Sequence, residues 1–153
     1  IPRACDIPGI APLVPGLHRT SGHYSARSQT SACEWAVSEP RRSGDPELSV
    51  DLRWDRRGFS ADAEHRAHDD FTRDKDAESD QGPVPGLGDE AIESFTRPDS
   101  SGVWGEVIVR RANVIIEVRF GAKPGDQVPA TAERVARVVV ARLTVTRLPR
   151  FAQ

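Results

Sequence analysis

A chain of 153 residues has the length of one ordinary domain, enough to bury about 70% of its unfolded surface around a single core. Apolar residues make up 37% and charged residues 29%, polar for a globular domain but too rich in Val, Leu and Ile for wholesale disorder. A formal charge of -2 gives no global electrostatic reason to bind nucleic acid, and no run of 18 apolar residues is present to span a membrane as a helix. The charge is unevenly spread: residues 62–82 hold eight acidic against three basic side chains, and from Arg97 onward ten basic face five acidic. Such runs are most often solvated faces, although they can also orient a partner.

The chain starts at Ile1 with no charged and then apolar leader, so a signal peptide and any membrane anchor are expected upstream of it. Its two cysteines are Cys5, in RACDIPG, and Cys33, in SACEWAV. A bridge between them would staple a segment with three prolines, three glycines and no amphipathic pattern beyond a short apolar stretch from Ile7 to Leu17. By closing a 28-residue separation it would add about 3–4 kcal/mol on the chain-entropy estimate. Two buried free thiols are the alternative. A cysteine nucleophile with His18 or His23 as base is disfavoured by Glu34, whose charge would raise the Cys33 thiol pKa. A disulfide places the chain in an oxidising compartment.

CEWAVSE alternates Cys33, Trp35 and Val37 with Glu34, Ala36 and Ser38; ELSVDLRWDRR alternates Leu48, Val50, Leu52 and Trp54 with polar residues. Joined by the turn-rich PRRSGDP, the two predict an antiparallel hairpin with one wet face. Residues 60–82 predict a polar surface helix of about three turns, capped by Ser60 and fraying near Asp76, with only Ala63, Ala67 and Phe71 as an apolar stripe. PVPGLGDE breaks the chain. AIESFTRP reads as a strand, and GVWGEVIVRR with NVIIEVRFG reads as a second hairpin turning near Ala112, where glycine would be the comfortable residue. TAERVARVVVARL places Ala132, Val135, Ala136, Val139, Val140 and Leu143 on one helical face, with Glu133 and Arg137 a turn apart outside and Pro129 at the start. The expectation is a single α+β domain over residues 1–153: a helical N-terminal segment, an antiparallel sheet of about five strands backed by helices, one disulfide, and a polar acidic insertion over 62–85.

The early cysteine in ACDIPG, the CEW at a strand start, the loop PGLGDEA, the hairpin VIVRRANVIIEV and the terminal helix TAERVARVVVARL resemble small actinobacterial envelope lipoproteins of unknown function. Their domain is similar to the extracellular sensor domain of a receptor-type serine/threonine kinase. The resemblance implies an exported protein tethered to the outer face of the cytoplasmic membrane through an anchor outside this chain. It also implies a Cys5–Cys33 bridge, and a domain that binds an envelope protein or cell-wall ligand and does no chemistry.

Three constellations invite a functional reading. GLGDEA superficially fits a dinucleotide fingerprint, but a proline-rich loop precedes it and a strand follows, so Gly86 and Gly88 are expected to shape a turn and no cofactor is expected. His65 and His68, beside Asp69 and Asp70, have a spacing that can share a metal ion, which would suit a small envelope hydrolase or other metal-dependent enzyme; chance neighbours on a charged helix read the same way. Trp104, Glu106 and Arg110 share the face opposite Val103, Val107 and Val109, and would form a partner-binding surface if the valines face the helices. No G-x-S-x-G, H-E-x-x-H or Walker motif is present, so no catalytic residue is assigned. A purely structural lipoprotein remains the bland alternative.

Overall fold

The computed structural model describes residues 1–55, 61–77, 81–99, 102–124 and 127–143. Two single 3-10 turns, Ala4–Asp6 and Ala11–Leu13, lead into β1 (His18–Ser25), β2 (Thr30–Ala36) and β3 (Glu47–Trp54). Then come α1 (Ala61–Ala77), β4 (Gln81–Pro83), β5 (Glu90–Asp99), β6 (Gly102–Arg111), β7 (Val114–Ala122) and α2 (Val128–Arg142). The strands form one antiparallel sheet in the order β1-β2-β3-β7-β6-β5-β4. The α+β class and both expected hairpins are present, but the sheet has seven strands where about five were expected. The additions are its edges: β1 is exposed along almost its whole length, and β4 has three residues.

Register sorts the side chains into two faces. The inner face carries Cys33, Trp35, Leu48, Val50, Leu52, Val107, Val109, Ile116 and Val118, all buried in the main core. α2 covers its β5–β6–β7 half with Val128, Ala132, Val135, Ala136 and Val139, the face read from the sequence. On its outer side Arg137 donates to Glu133. The other half is covered by the N-terminal segment, which inserts Ala4, Ile7, Ile10, Val14 and Leu17 into the same core without forming a regular helix. Cys5 and Cys33 are bridged, with Cα atoms 5.1 Å apart, and the Ala4 N–H donates to Ser31 Oγ beside them. Gly22 of β1 lies directly under the bridge: a Cβ there would collide with Cys5 Sγ, so this strand tolerates no side chain at that point.

The outer face carries an aliphatic cluster at the end near the β6–β7 turn. There Ile92, Ile108 and Ile115 pack against Ala67 and Phe71 of α1 as a small second core. α1 is therefore an anchored layer and not the free polar surface helix expected; it runs 17 residues, through Asp76 to Ala77. The short stripe of Ala63, Ala67 and Phe71, all three buried, suffices because the sheet supplies three isoleucines opposite the last two. The Ser60 cap lies outside the described residues. Segment 62–85, read as an insertion, supplies both this helix and β4. Among the described residues no helix is long and apolar enough to cross a membrane.

The loop before β5 has a structural task. Ala112 takes a left-handed conformation, φ 53°, uncommon for a residue with a Cβ, and its N–H donates to the Asp89 carboxylate. Arg110 Nη1 donates to the Ala112 carbonyl at 3.2 Å. Gly86 and Gly88, both at positive φ, bend the chain so that Asp89 reaches this turn.

Candidate functional site

Away from α1, among the described residues, the outer face is uncovered across β2, β3, β7 and β6. Cross-strand pairing places Trp104 opposite Gly121, Glu106 opposite Arg119, and Asp51 opposite Glu117. The Trp104 indole lies flat on Gly121, where a Cβ would come within 2.7 Å of the ring; glycine is what lets the aromatic lie down. Held there, the half-buried indole stands between two shallow hollows. One, about 360 Å³, runs toward Glu34, Arg41, Glu47 and Ser49; the other, about 290 Å³, toward Thr96 and Glu106. Arg119 lines both.

The charges beside the indole hold one another in place. Arg119 donates to Glu106 Oε1 from Nη2 at 2.6 Å and from Nε at 3.0 Å, and from Nη2 to Glu117 Oε1 at 2.9 Å. Glu106 is only 8% exposed. Burial, with a hydrogen bond that its protonated form donates to neighbouring Glu117, raises its pKa above the ordinary carboxylate value, and Arg119 only partly offsets this. Asp51 is raised in the same direction by burial, with Glu34 adding to it and Arg119 and Arg53 opposing. The result is a rigid aromatic bordered by a fixed guanidinium and by carboxylates that resist ionisation, an arrangement suited to recognition by stacking and directed hydrogen bonds.

Of the residues read as a partner surface, Trp104 and Glu106 are brought together and Arg110 is not. Arg110 points under α1, where Nε donates to Glu90, which also meets His68 Nδ1 at 2.8 Å. Although partial burial works the other way, the hydrogen bonds from His68 and Arg110 hold Glu90 below the ordinary carboxylate range. His65 instead faces Asp69 at 3.7 Å. The two histidines thus have separate carboxylate partners, and among the described residues no three His, Cys, Asp or Glu side chains gather closely enough to hold a metal ion. Arg119, one strand over from Trp104, escaped the sequence reading; the only signal for it was its place beside Glu117 on the wet face of β7.

No family model matches this chain, and no curated protein and no solved structure matches it.

Proposed function

We propose that this is a non-enzymatic, extracytoplasmic binding or sensor module that recognises a protein or cell-envelope ligand on the open outer half of its sheet. The supporting observation is the Trp104 indole laid over Gly121 between two hollows and bordered by Arg119 and the enclosed Glu106. Tryptophan and arginine dominate binding energy at protein interfaces, and an aromatic already immobilised loses little entropy on binding. The breadth and shallowness of the two hollows suit a protein surface or an extended polymer better than an enclosed small molecule. The Cys5–Cys33 bridge is consistent with an oxidising compartment, and tethering to the membrane would come from sequence outside this chain.

Capture from a detergent-solubilised envelope fraction on the immobilised, disulfide-bonded protein tests this reading. A bound component should be lost with Trp104→Ala and with Thr96→Arg, which fills one hollow, and kept with Phe95→Arg on the opposite face of the same strand. Equal capture by all four proteins would sink the assignment of the surface.

A further inference from the structure

The sheet has two edges, and only one is long. Among the described residues β1 pairs with β2 alone, and its eight residues run along the rim almost wholly exposed. The opposite edge, β4, is closed off by its three-residue length and by Pro83. β1 carries neither proline nor lysine, and its one irregularity is the extra residue Thr20 between Arg19 and Ser21. From Ser21 to Ser25 its pairing with β2 is regular, so alternate N–H and C=O groups there point away from the sheet.

A groove of about 460 Å³ follows this edge, lined by every residue from Arg19 to Tyr24 together with Arg3, Cys5 and Asp6. Arg19, Gly22 and Tyr24 stand opposite Trp35, Cys33 and Ser31 on the inner side, whereas Ser21 and His23 stand opposite Glu34 and Ala32 on the outer side. A hollow lined from both faces runs along the rim and is not a pit in either face. The Ala4–Asp6 turn forms its wall, fixed by the Cys5–Cys33 bridge and by the Ala4 N–H bond to Ser31 Oγ. Arg3, on that wall, lies 5.3 Å from the centre of the Tyr24 ring. An open edge beside a rigid wall suits strand addition, in which main-chain bonds give affinity and alternate side chains of the incoming segment give specificity.

Charge selects the occupant. Arg3 and Arg19 in the groove, and Arg27 just past the strand, are exposed, and among the described residues none of the three is held in an ion pair. Asp6 is the one carboxylate lining the groove. A second copy docking edge to edge would bring the same arginines to a common seam, where like charges repel. A segment bearing carboxylates at alternate positions would meet cations that have no other partner.

We propose that β1 accepts an extended acidic segment of a partner protein as an additional strand. The main chain of that segment bonds to the Ser21–Ser25 edge, and its carboxylates meet Arg3 and Arg19. The site is distinct from the Trp104 surface, so either can fail without the other.

The test is amide NMR titration and hydrogen exchange of the disulfide-bonded protein at low salt, with end-blocked peptides of the same length as β1. The probes are a threonine–glutamate repeat, a threonine–lysine repeat, and the glutamate peptide N-methylated at alternate residues in each of the two phases. The glutamate peptide should shift and protect amides between Ser21 and Ser25, leave the Trp104 indole unmoved, and bind at least about tenfold more tightly than the lysine peptide. One methylation phase removes the donors that face β1 and should weaken binding by a similar factor, while the other keeps it. Arg3→Gln together with Arg19→Gln should weaken the glutamate peptide about threefold or more, the loss of two exposed charge contacts. No shift at millimolar glutamate peptide, equal binding of the glutamate and lysine peptides, or indifference to both methylation phases or to the arginine changes would each overturn the proposal. Peptide-free protein that sediments as a dimer with the same amides protected would also overturn it, giving the edge to a second copy. The comparison of peptides on the unaltered protein holds even if a variant fails to fold.

Discussion

Removing both sulfurs, with Cys5→Ala and Cys33→Ala together, isolates what the bridge contributes. The bridge spans a sequence separation of 28 residues and fixes a segment whose Ile7, Ile10, Val14 and Leu17 already lie in the main core. Those apolar contacts survive the substitution, so the loss falls mainly on the unfolded side, where the chain regains freedom worth about 3.6 kcal/mol on the loop-closure estimate. An unfolding entropy of about 2.1 cal/mol/K per residue turns that into a fall in Tm of about 11 °C for a chain of this length. Thermal unfolding followed by circular dichroism measures the fall, and urea unfolding should show a larger m value, since the open chain exposes more surface. A fall below about 3 °C would refute the entropic account given by the closure estimate. Loss of cooperative unfolding would refute the claim that the N-terminal segment docks by its own apolar contacts.

Three further outcomes follow from the layers. Phe71→Ala empties the small outer core, where large-to-small changes cost about 3–5 kcal/mol; hydrogen exchange should then open α1 while β6 and β7, held by the main core, stay protected. Gly121→Ala sets a Cβ within 2.7 Å of the Trp104 ring and should lift the indole off the sheet, seen as a red shift in fluorescence that is absent when the same change is made with Trp104→Phe. A carboxyl whose pKa is raised by folding binds its proton better in the native state. Glu106 therefore contributes stability below its ordinary value of 4.5 and loses it as pH rises through the raised one. Glu106→Gln should match the unaltered protein at pH 4 and gain on it toward pH 7; a difference in urea stability that is constant with pH, or grows the other way, would show that Arg119 and not burial governs this group.

The inner layer could be read in advance because its alternation is regular: Leu48, Val50 and Leu52 declare one buried face, and α2 repeats apolar residues at helical spacing. The edges could not. β1, HRTSGHYS, is exposed on both faces and so has no alternation to detect, and three-residue QGP is too short and contains proline. Burial of α1 had a signal that went unread: Val107, Ile108 and Val109, and Val114, Ile115 and Ile116, are consecutive apolar triplets, which a strand with one wet face does not need. Both triplets lie at the turn end, where α1 packs. Trp104 and Glu106 were legible as neighbours because they are two apart on one strand, whereas Arg110, at the same parity, is carried six residues along β6 and under the helix. Arg119 meets Glu106 from the neighbouring strand, a contact that depends on pairing only the folded sheet defines.

The open face around Trp104 is tested most directly by placing a photoreactive amino acid at position 104 in the full-length protein, irradiating intact cells, and identifying what is trapped. The account predicts one reproducible crosslinked envelope component, absent when the probe replaces the enclosed Val118. A folded, disulfide-bonded protein that traps nothing from position 104 above that core control would contradict it.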